Sequence, residues 1–335
     1  MRDLWAQAER VGPRRLRSIH FGGGTPSLMP PALIAAVIGA GTEVFQSDGD
    51  LEIGLEANPL DCERLRAIRD AGVERLSLGV QGLDDGELRT LGRDHDAAGG
   101  RRALEAALAL FPRVSADLIY ARPGQSLAAW RAELAEVARS GVGHISAYQL
   151  TYEPGTAFGR AAERGRLTPP DEEVGAAFYE TTAEVLTAAG FEAYEVSNWA
   201  RSAADRSRHN LGYWLGRDYL GVGPGAHGRL TIDGVRRATA GARRPADYSR
   251  RVAETGVGWD EDVALSAREA AEERVILGLR IADGVSVAEL APLDLPEARV
   301  PELIADGLLQ RRGDRVAATS RGREVLDSLT RALAA

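Results

Sequence analysis

The chain has 335 residues, 44% of them hydrophobic and 27% charged, which is ordinary for a globular protein with one large domain and a smaller one. Its net charge of −8 argues against a general binder of nucleic acids or anionic membranes. The polar N-terminus lacks the apolar segment of a signal peptide, and no apolar run approaches the ~20 residues that cross a bilayer. The sequence therefore predicts a cytoplasmic protein without a membrane span.

Two residue types are rare enough to exclude whole classes of site. All 41 basic residues are arginine, so a P-loop lysine, a Schiff-base lysine and a pyridoxal phosphate anchor are excluded. The single cysteine, Cys62, cannot form an intrachain disulfide, a multi-cysteine zinc site or a complete iron–sulfur site. Because Cys62 shares a face of a helix-like segment with Leu65 and Ile68, we predict a packed structural thiol.

The first half of the chain alternates helix-like and strand-like segments. Helical spacing occurs at 2–10, 32–45, 61–71, 97–110 and 126–139, and strand-like apolar runs occur at 16–21, 51–56, 74–80, 114–120 and 144–150. Such alternation predicts an α/β fold with a parallel sheet and right-handed crossovers.

Glycines and polar residues lie at the carboxyl ends of these five strands. They are Gly22 to Thr25, Glu56 with Asn58, Gln81, Asp117, and Gln149 with Thr151. In βα folds this edge of the sheet is where ligands bind, and consecutive glycines let a ligand touch bare backbone. Taken alone, the glycine run is equally typical of a βα turn without a ligand. The repetition at five strands favours a binding site.

The second half of the chain changes character. A helix is predicted at 171–189 and a strand at 191–196, followed by an irregular region in which 219–229 is too glycine-rich for regular structure. Residues 264–335 resemble a winged helix, but their acidic residues outnumber their arginines, so a structural or docking role is favoured over DNA binding. We divide the chain into a barrel at 1–165, a linking region at 166–260 and a C-terminal domain at 261–335.

Several strings in this sequence resemble one known family. In order they are FGGGTPSLM (21–29), LEANP (55–59), LSLGVQ (76–81), LGRDHD (91–96), DLIYARPGQ (117–125) and HISAYQLTYEPGTAF (144–158). Together they resemble the radical S-adenosylmethionine proteins related to oxygen-independent coproporphyrinogen III oxidase. The later strings YEVSNWA (194–200), RHNLGYW (208–214) and GVGPGAH (221–227) resemble its heme-chaperone branch, the HemW type. The resemblance implies an incomplete TIM-like βα barrel with a small winged-helix-like C-terminal α+β domain.

The resemblance also implies a set of S-adenosylmethionine contacts. The matching positions are Gly22, Gly23, Gly24, Thr25, Glu56, Gln81, Arg93 and Asp117. Their chemistry suits the cofactor, because a guanidinium pairs with its carboxylate and the acidic side chains accept from its ammonium or ribose hydroxyls. For each residue taken singly, a helix cap or a surface polar group is the alternative interpretation.

The cysteine content departs from the family pattern. Members carry a CxxxCxxC triplet that binds a [4Fe–4S] cluster, and Cys62 lies in a different βα unit. We therefore expect no cluster or other metal ligand in this chain, and no radical chemistry by these residues alone. Either the sequence is a piece of a longer protein or the cluster segment was lost, and the intact cofactor motifs favour the first. Ala121 and Arg122 depart in a smaller way, since they stand where the family has glycine and an apolar residue.

Three functions compete. The first is a heme-trafficking protein that binds S-adenosylmethionine and heme and passes the heme to an unidentified acceptor protein. His209 and His227 are then the candidate iron ligands, although His209 is also explained as a residue that bonds to nearby backbone and shapes its loop. The second function is oxidative decarboxylation of coproporphyrinogen III, which leaves open whether the chain is an enzyme. The third is an adaptor that docks through its C-terminal unit. The iron ligand and the formation of a homodimer stay open.

Overall fold

The computed structural model describes residues 1–334, apart from the side chain of residue 48. The chain forms two compact units. The first unit contains residues 1–19, 36–51 and 207 onward, and the second contains residues 20–35 and 52–206. The division into 1–165, 166–260 and 261–335 stays a prediction beside this grouping.

In the first half of the chain the strands begin and end close to the predicted bounds, except that the second strand begins at Gln46 instead of residue 51. They are β1 (Arg15–Phe21), β2 (Gln46–Ala57), β3 (Arg75–Gln81), β4 (Arg113–Tyr120), β5 (His144–Gln149), β6 (Glu192–Ala193), β7 (Asn198–Ala200), β8 (His227–Ile232), β9 (Val235–Gly241), β10 (Trp259–Ala264), β11 (Val285–Ser286), β12 (Leu309–Arg312) and β13 (Arg315–Ala318).

The helices alternate with these strands. They are α1 (Arg2–Val11), α2 (Pro31–Val44), α3 (Leu65–Asp70), α4 (Asp85–Thr90), α5 (Ala97–Leu110), α6 (Leu127–Arg139), α7 (Ala157–Glu163), α8 (Glu172–Ala188), α9 (Arg208–Trp214), α10 (Pro245–Thr255), α11 (Ala267–Gly278), α12 (Val287–Leu290), α13 (Arg299–Ala305), α14 (Ser320–Glu324) and α15 (Leu326–Ala334). Within residues 1–334, none of them has both the length and the apolar character that crossing a bilayer requires.

The main sheet has seven strands in the order β1-β2-β3-β4-β5-β7-β6. Strands β2 to β5 pair in parallel, and β7 pairs antiparallel with β5 and with β6. The predicted parallel repeat is therefore found from β2 to β5, whereas the predicted strand at 191–196 is reduced to two residues and the short β7 was missed. Helices such as α5, α6 and α8 supply the crossovers, and Asp96, Ser126 and Asp171 cap their N-termini.

The sheet strands in the second unit have one apolar face and one polar face. On β3 to β5, Leu76, Leu78, Ala116 and Ile145 are fully buried on the apolar face. The helix α6 has a buried apolar stripe that includes Trp130 and Leu134. Removal of these side chains from water stabilises the fold. Because side chains alternate along a strand, the residues between these apolar positions lie together on the other face.

The first unit contains two smaller antiparallel sheets. Strands β8, β9 and β10 form a meander, and the core beside it includes Leu4, Phe45, Leu230 and Trp259. The other sheet has the strand order β11-β13-β12 and is accompanied by helices α11 to α15. Its strands β12 and β13 form a hairpin whose turn contains Gly313. The helix–turn–helix spacing that the sequence predicts through 287–309 is occupied by α12, a 3₁₀ turn and α13.

Two predictions about irregular regions are wrong. The stretch 208–214 is the helix α9, and Ser207 caps it by accepting from the backbone N–H of Asn210 at 3.2 Å. Residues 227–229 open strand β8, so regular structure reaches into the glycine-rich run. The close backbone approach predicted for that run is present, since a Cβ at Gly221 would lie 2.3 Å from the carbonyl oxygen of His227.

Candidate functional site

The glycine loop follows strand β1 and is exposed. Gly23 and Gly24 have φ angles of 78° and 62°, a left-handed conformation that favours glycine, and a Cβ at either would meet no atom within 4 Å. At Gly22 a Cβ would instead lie 3.0 Å from Oε1 of Glu56 and 3.2 Å from the ring of His20. The loop therefore presents open backbone on one side and is crowded by a carboxylate on the other.

Glu56 faces this loop from the end of strand β2. Its carboxylate accepts from Nε2 of His20 at 3.2 Å and from the backbone N–H of Gly23 at 3.4 Å. The hydrogen bond from His20, helped by that from Gly23, holds the pKa of Glu56 below its ordinary value. The side chain is 48% exposed, so an ionised carboxylate is available to a cation at the loop.

Asp117 lies on strand β4 and is held by two serines. The hydroxyl of Ser77 donates to Oδ2 at 2.7 Å, and the hydroxyl of Ser115 donates to Oδ1 at 3.0 Å. Burial raises the pKa of Asp117 above its ordinary value, and the serine hydroxyls oppose that rise. The carboxyl is thus oriented before any ligand arrives.

A buried polar chain continues from Ser115 along the same face of the sheet. Its hydroxyl lies 2.7 Å from Nδ1 of His144, and Nε2 of His144 lies 2.8 Å from the hydroxyl of Tyr194. Burial, together with the nearby Arg75 and Arg113, holds the pKa of His144 well below its ordinary value. The imidazole is therefore neutral at neutral pH and acts as a hydrogen-bonding support.

Strand register brings three of the predicted contacts to one edge. Glu56 stands opposite Ser77 on the neighbouring strand, and Ser77 bonds to Asp117 on the strand after that. Ser77 stands opposite Ser115, so Asp117 lies two strands away from Glu56 and two residues further along, a separation of roughly 12 Å. Gln81 stands opposite Leu118, next to Asp117 in the chain. A separation of this size suits a ligand with an amino-acid end and a ribose.

Two predicted contacts are less closely tied to this edge. Arg93 lies on an exposed turn after α4, where its backbone N–H donates to the carbonyl of Leu88 at 2.9 Å. No described contact joins its guanidinium to the edge. Thr25 is half-buried and precedes a short 3₁₀ turn that its side chain does not cap.

The structure accommodates Ala121 and Arg122, which depart from the family pattern, in two different ways. Ala121 takes the left-handed conformation, with φ of 56°, that glycine would take without strain. Arg122 does not add a solvent-facing charge near the site, because its side chain is buried and paired with Glu133 and Glu87.

The two heme-ligand candidates lie in the first unit. The ring of His209 on α9 packs edge-on against Tyr213 with centroids 4.7 Å apart, and Tyr213 packs against Tyr219 at 4.5 Å. His227 begins strand β8 and is exposed. The imidazole of His227 is therefore the more accessible of the two, whereas His209 takes part in an aromatic cluster.

The described residues do not fit an iron–sulfur cluster. In residues 1–334, no group of three or more His, Cys, Asp or Glu side chains is placed to hold a metal ion. Cys62 is half-buried on a 3₁₀ turn, and burial raises the pKa of its thiol, which disfavours the thiolate that binds iron.

Sequence reasoning missed the serine and histidine side chains that support Asp117. The signal was the alternation of polar and apolar residues in 113–120 and 144–149, which marks a strand with one polar face. The ring of His144 is buried and neutral, which is typical of a structural histidine. His95 is also buried, with Nε2 3.0 Å from the carbonyl of Val80.

Known proteins share both the sequence and the fold of this chain. The Radical SAM superfamily model matches residues 1–136, and the HemN C-terminal domain model matches residues 265–325. The chain is 41% identical over 334 residues to the mouse Radical S-adenosyl methionine domain-containing protein 1, mitochondrial, covering 95% of this chain and 75% of the relative. It is 37% identical to the Heme chaperone HemW of Mycobacterium tuberculosis, covering 99% of this chain and 84% of the relative.

One solved structure has the same fold. Coproporphyrinogen III oxidase (HemN) from Escherichia coli matches with a TM-score of 0.75 and 22% identity, over 99% of this chain and 83% of that one. The expected incomplete barrel with a small C-terminal domain is thereby confirmed. With relatives of this identity along nearly its whole length, the chain belongs to the HemW-type group of the radical S-adenosylmethionine superfamily.

Proposed function

We propose that this chain is a heme chaperone on a radical S-adenosylmethionine scaffold, which binds S-adenosylmethionine at the sheet edge and carries heme as cargo. The observation that carries the proposal is the 37% identity to a protein named Heme chaperone HemW across 99% of the chain. The match to coproporphyrinogen III oxidase has only 22% identity and speaks for the fold alone. The chaperone is therefore favoured over the oxidase.

The sheet edge supplies the S-adenosylmethionine site in this proposal. Glu56 takes the ammonium of the methionyl group, because its ionised and half-exposed carboxylate faces the glycine loop. Asp117 accepts from the ribose hydroxyls, since Ser77 and Ser115 already orient its oxygens. The backbone of Gly22 to Thr25 lines the methionyl part.

The remaining two contacts complete the recognition. Gln81 can donate to and accept from the ribose beside Asp117, which its register position allows. Arg93 pairs with the cofactor carboxylate, and its exposed turn leaves the guanidinium free to reach a ligand. Reductive cleavage of the sulfonium needs a cluster that the described residues do not ligate, so these residues are assigned binding and not turnover.

Heme is assigned to the first unit. The exposed imidazole of His227 is the first candidate for the iron, and His209 with its neighbouring tyrosines is the second. Aromatic faces near an axial ligand stack on a porphyrin plane. The acceptor protein, a homodimer, a cytoplasmic location and the lack of nucleic-acid binding stay predictions.

A paired titration tests the proposed function. The protein is titrated with heme while the Soret band is followed, and separately incubated with coproporphyrinogen III, S-adenosylmethionine and a reductant while released carbon dioxide is measured. Saturable heme binding that iron-free protoporphyrin IX does not reproduce supports the chaperone. Decarboxylation, or a Soret band that does not shift, would contradict it. Iron-free protoporphyrin IX is the matched control, because it keeps the ring and removes the metal that a histidine ligates.

A further inference from the structure

The end of strand β3 carries an unusual backbone conformation at a proposed cofactor contact. Gln81 has a φ of 64°, and the backbone N–H of Gly82 donates to the carbonyl of Val80 at 2.7 Å, closing a tight turn. A residue with a side chain adopts this conformation only where its surroundings hold it there. The question is which groups hold Gln81.

The buried guanidinium of Arg122 contacts the turn at Gln81 and helps to keep it in this conformation. Nη1 of Arg122 donates to the carbonyl of Gln81 at 3.1 Å, while Nη2 pairs with Glu133 and, at 2.6 Å, with Glu87. The side chain of Arg122 has no solvent exposure. Since a buried charge requires partners, this arrangement has little freedom to move.

The carboxylate partner binds the same turn from its other side. Oε1 of Glu133 accepts from the backbone N–H of Leu83 at 2.7 Å, two residues beyond Gln81. Side-chain Nε2 of Gln125 also lies 3.4 Å from Oε2 of Glu133, which ties the loop after β4 to the same pair. The ion pair thus holds a carbonyl and an N–H that flank Gly82.

The space for the guanidinium depends on the absence of a side chain at position 82. A Cβ on Gly82 would lie 1.8 Å from Nη1 of Arg122 and 3.3 Å from Oε1 of Glu133. The guanidinium can therefore occupy this position only because residue 82 is glycine. The four residues form one interlocked group, which we call the β3 clamp: Gln81, Gly82, Arg122 and Glu133.

We propose that the Arg122–Glu133 pair is a positioning device that sets the strained turn at Gln81 and thereby aims its side chain at the ribose of S-adenosylmethionine. The inference rests on the proposed function and deepens it, because Arg122 and Glu133 act through Gln81 and not by touching the ligand. A purely structural role predicts something different, since a buried ion pair can often be replaced by apolar residues without loss of stability.

A double-mutant cycle separates these roles. Binding of S-adenosylhomocysteine is measured by calorimetry for the unsubstituted protein, Gln81→Ala, the pair Arg122→Met with Glu133→Met, and their combination. We expect each of the first two changes to weaken binding about tenfold, the size of one or two lost hydrogen bonds, and the combination to be no weaker than either alone. Thermal unfolding of every variant is measured alongside.

A second substitution reaches the clamp without removing a charge. Gly82→Ala must displace the guanidinium, so it is expected to weaken binding as much as the double methionine variant and provides the test if that variant does not fold. The matched control is Arg201→Met. Arg201 also donates to backbone carbonyls, at 3.1 Å to Val142 and 2.8 Å to Ala189, but it follows β7 beside the start of β5. It should leave the affinity unchanged.

The outcomes are distinguishable. If the unsubstituted protein does not bind S-adenosylhomocysteine, the proposed cofactor site is overturned and this inference with it. If it binds, but the folded clamp variants bind equally well or add to the loss from Gln81→Ala, the positioning role alone is overturned. Loss of binding that matches Gln81→Ala and does not add to it supports the clamp.

Discussion

The cofactor edge and the heme-ligand region are built in different ways. At the cofactor edge, Glu56 and Asp117 come from parallel strands on either side of β3, and each carboxylate already has hydrogen-bond donors that set its direction. In the heme-ligand region, His209 is on a helix and packs against Tyr213, whereas His227 opens a strand of an antiparallel meander and is exposed. Parallel strand register therefore holds the cofactor-binding carboxylates in place before a ligand binds. The proposed heme site, in contrast, offers one exposed histidine.

The largest expected effect is at the carboxylate beside the glycine loop. Glu56→Gln removes the charge that pairs with the ligand ammonium, so S-adenosylhomocysteine should bind about 10- to 100-fold more weakly. Calorimetric titration measures this change. Glu63→Gln is the matched control, because Glu63 is an exposed acid of the same unit. Equal affinity for Glu56→Gln and the unsubstituted protein would remove Glu56 from the site.

The heme region should respond to one histidine more than to the other. His227→Ala removes an exposed imidazole and should weaken heme binding by at least about tenfold, with a shifted Soret band. His209→Ala removes a ring that packs against Tyr213 and should change heme affinity less. Heme titration of both variants measures the difference. The reverse order of effects would assign the iron to His209.

The pH dependence of binding should report on Asp117. Burial raises the pKa of this carboxyl, and only its ionised form accepts from ribose hydroxyls at both oxygens, so affinity should increase as pH rises through that raised pKa and then level off. The pKa of Glu56 and of His144 is lowered, so neither adds a step on the neutral side of this range. Titrations with S-adenosylhomocysteine from about pH 5 to about pH 8 measure the profile. Asp117→Asn should bind weakly and without that rise, and a variant that keeps it would assign the rise elsewhere.

The smallest expected effects are changes in stability at two glycines, one with a left-handed backbone and one in a helix. Gly23→Ala should lower the free energy of unfolding by about 1–2 kcal/mol, because φ is 78° although no atom crowds the new methyl group. Gly100→Ala, on the helix α5, should raise it by roughly 0.5–1 kcal/mol, since the nearest atom to its Cβ would be at an ordinary 3.6 Å. Urea unfolding followed by the fluorescence of buried Trp130 and Trp199 measures both. If both substitutions changed the free energy of unfolding in the same direction, backbone conformation would not explain their effects.

The sequence predicted the parts of the fold that depend on local pattern. Strands β1 and β3 to β5 and helices α2, α5, α6 and α8 lie within one or two residues of the predicted bounds, because their apolar periodicity is strong. The β8–β10 meander was missed because its glycines weaken the strand pattern, although the Asp233–Gly234 turn that joins β8 to β9 is a local hairpin signal. The irregular segment expected at 208–214 is a helix because the Ser207 cap outweighs Gly212.

The candidate site could be predicted only in part. Glu56 lies at the end of β2 and Asp117 shortly before the end of β4, and a single sequence displays both places. The role of Arg122 does not follow, because a charged residue after a strand normally points to solvent, and only tertiary structure shows that it is buried against Glu133. Likewise, the left-handed turn at Gln81 carries no glycine signal at that residue.

The binding of S-adenosylmethionine at the sheet edge is best tested by a crystal structure with S-adenosylhomocysteine. We expect electron density for the ligand along Gly22 to Thr25, with its ammonium within hydrogen-bond distance of Glu56 and its ribose hydroxyls at Asp117. Ligand density at another surface, or a bound ligand that contacts neither carboxylate, would show that this edge is not the cofactor site.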